Sequence, residues 1–314
     1  MSDFQKWEKL GQVFSPDNYS NLMVRYARIP IADYYKDDTF DVYFGSRDRT
    51  NRERIFKLKF DLSRLEVVDI FENPILNFGE TLGAFDDNGV SPCCILNIGR
   101  KKFLYYAGWN VHVKIPFTCA VGLAISDDNG ESFKRKFKGP VLDRNKYEHQ
   151  FVAVNDVMVD EGLFKSWYLS CSKWEYDKNS PNKLVHYYAI NYAESENGSD
   201  WKQTGEMAVG FKNKYEYAIS TPRVIKEPGG SYGMWYSYRA QKDVETYRIG
   251  YATSYDGRKW VRQDETVGLD VSKAGWDSEM VCYPFVFSHK GNRYMLYNGN
   301  SYGKTGFGIA VLNE

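Results

Sequence analysis

Short runs of apolar and aromatic residues, each ending in a small or polar residue, recur five times along the chain. They occupy residues 40–45, 103–108, 166–170, 233–238 and 294–299. Another short apolar segment precedes each run, and the equivalent positions in these segments are Pro30, Pro92, Asn155, Pro222 and Pro284. These positions are 62, 63, 67 and 62 residues apart. Short aromatic runs are typical of strands, and a fixed period indicates a repeated unit. The pattern therefore predicts five copies of one β-sheet unit.

A third and a fourth strand follow in most copies. Three of the connecting turns contain Asn-Gly or Asp-Gly, at residues 129–130, 197–198 and 256–257, and such pairs supply the positive φ angles of tight hairpins. The last copy ends after its third strand at residues 307–312, whereas residues 7–13 match the fourth-strand pattern. The sequence predicts one all-β domain, residues 1–314. Its predicted fold is a five-bladed β-propeller with four antiparallel strands per blade, in which the N-terminal strand closes the last blade and leaves no free edge.

Charge and composition narrow the function classes. Of the 314 residues, 41 are Lys or Arg and 41 are Asp or Glu, so the basic excess of a nucleic-acid-binding protein is missing. The apolar runs are too short to span a bilayer, and the N-terminus lacks the apolar core of a signal peptide. Five cysteines without a Cys-x-x-Cys pair favour reduced thiols. We expect a cytoplasmic protein that binds neither nucleic acid nor membrane, and the oligomeric state stays open.

Acidic residues precede the predicted inner strand in four of the five copies. In a propeller the loops leading into the inner strands form one mouth of the axial channel, so these side chains are expected to converge. Mutual repulsion would separate their pKa values, and glycosidic bond cleavage uses such a separation of acid from base. The alternative is that they are ordinary turn residues. The candidate catalytic residues are Asp87, Glu148, Glu216 and Glu279, with Asp86 and Asp277 as close neighbours of two of them.

Two segments carry a family resemblance in addition to the repeat. They are Phe-Asp-Asp-Asn-Gly-Val-Ser-Pro at residues 85–92 and Gly-Trp-Asp-Ser-Glu-Met at residues 275–280. Together with the repeat, they resemble the five-bladed β-propeller glycosidase superfamily, which includes arabinanase-, levansucrase- and invertase-like enzymes and mannoside-phosphorylase-like ones. More narrowly, the chain resembles bacterial single-domain members associated with polysaccharide loci. The resemblance implies a glycoside hydrolase-like enzyme acting on a saccharide. It also implies that Glu148, on the third blade, is the general acid, with His149 tuning its titration.

The first blade departs from the arabinanase-like pattern, in which it supplies a general base. Residues 21–30 contain no carboxylate but do contain Arg25 and Arg28. Arginine suits two-pronged binding of carboxylate or phosphate groups, so the sequence favours an anionic saccharide. A phosphorylase- or transferase-like variant and a non-catalytic sugar-binding propeller remain alternatives.

Further candidate ligand-binding residues complete the predicted site. The full substrate-binding set is Arg25, Arg28, Arg47, Trp109, His149, Arg223 and Trp276. For Arg47, which lies in an arginine-rich stretch, the alternative is a solvated hairpin loop. Only four histidines are present and they are scattered, so no metal site is predicted, and no motif demands a cofactor. Asp and Asn side chains at the mouth leave calcium binding open.

Overall fold

The computed structural model describes residues 4–177 and 180–313, and its regular structure is almost entirely β-strand. The first strand, β1 (Lys6–Phe14), pairs with the last one. The strands between them pair antiparallel with their neighbours in chain order, in groups of four that we call units.

Units 1 and 2 come from the first half of the chain. Unit 1 consists of β2 (Arg25–Lys36), β3 (Thr39–Arg47), β4 (Glu53–Asp61) and β5 (Glu66–Leu76). Unit 2 consists of β6 (Gly89–Ile98), β7 (Lys101–Val111), β8 (Phe117–Ser126) and the very short β9 (Lys134–Arg135).

Units 3 and 4 repeat the same order. Unit 3 consists of β10 (Val152–Asp160), β11 (Leu163–Asp177), β12 (Ser180–Ser195) and β13 (Lys202–Val209). Unit 4 consists of β14 (Glu216–Lys226), β15 (Tyr232–Ala240), β16 (Arg248–Ser254) and β17 (Val261–Arg262). The fourth strands of units 2 and 4 are thus only two residues long.

Unit 5 combines the two ends of the chain. Its strands are β18 (Cys282–His289), β19 (Asn292–Asn298), β20 (Phe307–Asn313) and β1. In the pairing of β1 with β20, Trp7 lies opposite Leu312 and Phe14 opposite Phe307. The expected pairing of the N-terminal segment with the last repeat is therefore present.

The helical segments of the described residues are two short turns. They are a 3₁₀ turn at Asp264–Thr266 and a helical turn at Asn300–Gly303. Within the described part of the chain, no helix is long and apolar enough to cross a membrane. The five cysteines are free, and the cytoplasmic location stays a prediction.

The first strands of the units contact one another in order. β2 contacts β6, β6 contacts β10, β10 contacts β14, β14 contacts β18, and β18 contacts β2. Each first strand also carries a register shift near its start, between Arg28 and Ile31, Pro92 and Cys94, Ala153 and Asn155, Ser220 and Arg223, and Cys282 and Phe285. Such bulges bend a strand and re-aim its side chains, and they are common beside functional sites.

The Asn-Gly and Asp-Gly turns join neighbouring units. The Tyr105 hydroxyl of unit 2 donates to the carbonyl of Gly198 in unit 3, at 2.7 Å. Nε1 of Trp167 in unit 3 donates to the carbonyl of Gly257 in unit 4, also at 2.7 Å. Both glycines have φ of 72°, which favours glycine, and both turns press against large buried rings. The repeated turn is therefore a packing element between units.

Removing residues 1–14 deletes β1, and we expect the shortened protein to aggregate or to melt at a markedly lower temperature. The reason is that β20 becomes an exposed strand edge. Size-exclusion chromatography and thermal melting measure the effect. Removing residues 1–4 alone, which precede β1, is the control and should leave both unchanged. Equal melting of the two shortened proteins would contradict the importance of this pairing.

Candidate functional site

Four acidic side chains at the start of units 2–5 are buried and bound within their own units. Each contacts a side chain of the fourth strand of its unit. The pairs are Asp86–Arg135 at 2.7 Å, Glu148–Gln203 at 3.2 Å, Glu216–Arg262 at 2.6 Å and Asp277–Lys9 at 2.6 Å. We call this contact the carboxylate clamp. Three of the four pairs are ion pairs, and their charge-assisted hydrogen bonds belong to the stronger class.

A tyrosine of the second strand completes the carboxylate clamp. Its hydroxyl donates to the carboxylate in three units, as Tyr106 to Asp86 (3.4 Å), Tyr168 to Glu148 (2.8 Å) and Tyr297 to Asp277 (3.0 Å). In unit 4 the Tyr236 hydroxyl donates to Asp264, and Arg262 bridges Asp264 and Glu216. The neighbours of these four carboxylates are thus hydroxyls, amides and cations of the same unit.

Unit 1 lacks both the carboxylate and the tyrosine hydroxyl of the carboxylate clamp. Residues 21–24, directly before its first strand, contain no carboxylate, and the apolar Met23 is buried there. Tyr106 and Tyr236 lie 14 residues after Pro92 and Pro222, and the residue 14 positions after Pro30 is Phe44, which has no hydroxyl. The Phe44 ring packs against Phe14 and Phe307, with ring centres 5.1 Å and 5.9 Å away. The acid and the hydroxyl are therefore absent together.

Three predicted site residues lie near the surface. Asp87 is partly exposed and its Oδ2 accepts the backbone N–H of Gly83 at 2.8 Å. Glu279 and His149 are exposed. Their assignment to catalysis or ligand binding stays a prediction.

Two further predicted residues have packing partners. Trp276 stacks on Tyr297, with ring centres 5.2 Å apart. Arg223 donates to Asp156 at 3.2 Å and to the carbonyl of Val286 at 2.8 Å, which joins β14 to β10 and β18. These contacts hold both side chains within the sheet framework.

Arg28 and Arg47 converge on one buried carboxylate that the sequence analysis did not select. Glu53, the first residue of β4, is fully buried, and its Oε2 accepts from Arg28 Nη1 at 3.2 Å and from Arg47 Nε at 2.8 Å. Its Oε1 accepts from the Ser91 hydroxyl at 2.5 Å. Gly45 leaves the room for this carboxylate, because a Cβ there would collide with Oε1. Burial alone would raise the pKa of Glu53, but the two arginines hold it below its usual value.

Aromatic rings surround the two arginines. Tyr26 lies 6.0 Å from Arg28 and 5.2 Å from Arg47, Trp109 lies 5.2 Å from Arg47, and Tyr283 lies 5.8 Å from Arg28. Nε of Arg28 and Nε1 of Trp109 are buried without a hydrogen-bond partner, although buried donors are normally paired. The first arginine cluster consists of Arg28, Arg47, Glu53, Tyr26, Trp109 and Tyr283. Arg25, by contrast, is exposed.

A second arginine cluster was missed by the sequence analysis. It consists of Arg239 with Tyr188, Tyr217, Tyr247 and Tyr302. Arg239 donates to the Tyr302 hydroxyl at 2.6 Å and to the Tyr188 hydroxyl at 3.4 Å. The rings of Tyr217 and Tyr247 lie 5.0 Å and 4.8 Å from its guanidinium. The sequence repeat could have identified Arg239, because it occupies the same repeat position as Arg47. Arg239 lies three residues after Tyr236, and Arg47 lies three residues after Phe44.

The two arginine clusters are contiguous. The rings of Tyr283 and Tyr247 are 5.9 Å apart, and burial raises the pKa of both tyrosines, so their hydroxyls are neutral. Because these tyrosines are neutral, the charged groups of the two clusters are three arginines and one carboxylate, Glu53. The chain as a whole has no net charge. Tyr26, Tyr283 and Tyr302 all have positive φ, between 55° and 67°. Such backbone strain concentrates at ligand-binding sites.

Metal ligands are not grouped at this site. Over residues 4–177 and 180–313, no cluster of three or more His, Cys, Asp or Glu side chains has the arrangement of a metal site. The chemistry available at the two arginine clusters is thus hydrogen-bond donation by guanidinium and phenol groups, together with one ionised carboxylate.

If the carboxylate clamp stabilises the sheets, Glu216→Gln should lower the free energy of unfolding by roughly 1.5–3 kcal/mol, because two charge-assisted bonds to Arg262 are weakened. Glu279→Gln, at an exposed position, is the matched control and should change it by no more than about 0.5 kcal/mol. Urea unfolding measures both. Equal stabilities of the two variants would contradict the clamp.

The fold matches solved glycoside hydrolases. A protein described as a glycoside hydrolase superposes with a TM-score of 0.74 at 17% identity, over 98% of this chain and 92% of that one. A thermostable family-43 glycoside hydrolase gives 0.67 at 17% identity, over 93% and 90%. The endo-arabinase from Bacteroides thetaiotaomicron gives 0.63 at 15% identity, over 94% and 98%. The resemblance to the propeller glycosidases is confirmed at the level of the fold.

Sequence comparison gives two relatives from Mycobacterium tuberculosis. They are uncharacterized protein Rv1502, of strain H37Rv, and uncharacterized protein MT1551, of strain CDC 1551. Each is 36% identical over 309 residues, which cover 98% of this chain and 99% of the relative. No family model matches the sequence. Identity at this level over the whole length is evidence of common descent, and the chain therefore belongs to the protein family of Rv1502 and MT1551.

Proposed function

We propose that the chain forms one domain, a closed propeller of five blades, each blade being one unit. Three observations support this arrangement. The strands pair in groups of four, the first strands contact one another in order with β18 reaching β2, and β1 pairs with β20. In such a ring the first strands surround the axis, and the two arginine clusters lie around one mouth.

We propose further that this mouth binds a saccharide carrying an anionic group, and that the protein is glycosidase-like. The observation that carries the proposal is the first arginine cluster. Arg28 and Arg47 share a single carboxylate, Arg28 keeps a buried N–H donor without a partner, and aromatic rings flank both guanidiniums. Guanidinium groups bind carboxylate or phosphate with two parallel hydrogen bonds, and aromatic rings give apolar contact area to a ligand.

Hydrolysis or transfer of a glycosyl group is the first candidate reaction. The fold supports it, because the similar solved structures are glycoside hydrolases. Glu53 is ionised between two arginines and its pKa is lowered, so it is a weak proton acceptor and is unsuited to donate a proton. Its contacts hold the two guanidiniums in place. The predicted acid, Glu148, accepts from Tyr168, Asn191 and Gln203, so its use as a proton donor requires a rearrangement of these bonds.

Saccharide binding without catalysis is the second candidate. It is favoured by the carboxylate clamp, which engages four of the six predicted catalytic residues inside their own units. An assay of activated glycosides and glycosyl phosphates separates the two candidates. Turnover that falls at least about 10²-fold in Glu148→Gln would support the enzyme with Glu148 as its acid. A wild-type protein that binds saccharides but turns none over would support the binding protein.

For ligand binding, we expect the wild type to bind galacturonate at least about tenfold more tightly than galactose. Arg28→Lys should weaken galacturonate binding by about tenfold, because lysine keeps the charge but loses the two-pronged geometry. Arg64→Lys, at an exposed arginine that pairs with Asp61 in the turn between β4 and β5, is the control and should bind like wild type. Isothermal titration calorimetry measures all three proteins. Equal affinity for the acidic and the neutral sugar would contradict an anion site.

A further inference from the structure

Every described side-chain partner of Arg239 is a tyrosine. Two hydroxyls accept from its Nη atoms, two rings lie against its guanidinium, and its Nε is buried without a partner. Burial disfavours the charged form, and the surrounding tyrosines outweigh that effect and raise the pKa of Arg239. Within the described residues no carboxylate forms an ion pair with it, in contrast to Arg28 and Arg47. Its positive charge is therefore available to an anion from outside the chain.

The neighbouring histidine does not supply a second charge. His186 stacks between Trp174 and Tyr188, with ring centres 4.4 Å and 4.8 Å away. Burial and the charge of Arg239 lower the pKa of His186 to about 3, so it is neutral at physiological pH. It supports the Tyr188 ring from behind, which fixes one wall of the second arginine cluster.

The second arginine cluster opens into a cleft of about 870 Å³. Tyr217 belongs to both, and its ring packs edge to face against that of Tyr187, another lining residue, with ring centres 6.0 Å apart. Three lysines and three carboxylates also line the cleft: Lys173, Lys183, Lys214, Glu175, Asp177 and Glu245. A ligand group held by Arg239 thus has room to continue outward between strands of units 3 and 4.

From these contacts we infer that Arg239 binds a second anionic group, and that the ligand is a saccharide with two acidic groups on linked units. The inference rests on the proposed function, which assigns the first acidic group to Arg28 and Arg47. The buried rings of Tyr283 and Tyr247, one from each cluster, are in contact, so the two arginine clusters are neighbours and one ligand can bridge them. Tyr302, at a strained φ of 62°, brings its hydroxyl from unit 5 to Arg239 and orients the guanidinium.

Galacturonate and the linked di-galacturonate are the probes for this inference. We expect the wild type to bind the disaccharide at least about tenfold more tightly than the monosaccharide. Arg239→Lys should remove most of that advantage and leave galacturonate binding unchanged, whereas Arg28→Lys should weaken both ligands. Arg248→Lys, a half-buried arginine on the next strand that pairs with Asp270, is the matched control. Calorimetry gives the affinities, and thermal melting confirms that each variant is folded.

The outcomes separate this inference from the function on which it rests. If galacturonate binds but the disaccharide gains nothing, or if Arg239→Lys leaves the gain intact, the second anion site is refuted and the first stands. If neither acid binds the wild type, both are refuted. Should Arg239→Lys fail to fold, Tyr302→Phe serves in its place, because loss of the hydroxyl frees the guanidinium to turn. That variant should lose several-fold in disaccharide affinity only, and unchanged disaccharide binding in it would overturn the inference.

Discussion

In units 2–5 the carboxylate clamp joins the start of the unit to its last strand, and the attachment of the fourth strands depends on it. Fourth strands have few ladder hydrogen bonds of their own, since β9 and β17 contain only two residues each. A buried carboxylate that accepts from Arg135 or Arg262 supplies the missing attachment. In unit 5 the same contact, between Asp277 and Lys9, ties the two ends of the chain together. Removing one partner of such a pair is costly because the other charge stays buried.

Because four acidic residues are engaged in the carboxylate clamp, the two arginine clusters keep an excess of positive charge. These four carboxylates, at the start of units 2–5, are neutralised or hydrogen-bonded inside their units, so they do not offset the arginines. The two arginine clusters then contain three guanidiniums and one carboxylate, in a chain whose charged residues balance overall. A local excess of one sign in a partly buried site attracts ligands of the opposite sign. The placement of the acidic residues in the sheets therefore also accounts for the proposed preference for an anionic ligand.

The strand order was largely predictable from the sequence, because repeat spacing, turn residues and strand composition are local signals. Residues 7–13 were recognised as a fourth strand by pattern alone, and they pair with β20. The direction of the acidic side chains was not predictable in the same way. It depends on partners that are distant in the sequence, such as Arg262 for Glu216, and no local pattern reveals them. Arg239 was predictable in principle, because it occupies the repeat position of Arg47, but only a comparison of the units column by column would have found it.

The central claim is that the arginines of the two arginine clusters bind the ligand, whereas the acidic residues of the carboxylate clamp stabilise the sheets. A crystal structure of the protein with bound galacturonate tests it most directly. The account predicts the sugar carboxylate within hydrogen-bond distance of the Arg28 or Arg47 guanidinium, with Glu148 and Glu216 still bound to Gln203 and Arg262. A sugar ring held by Glu148 or Glu216, with those contacts broken, would contradict it.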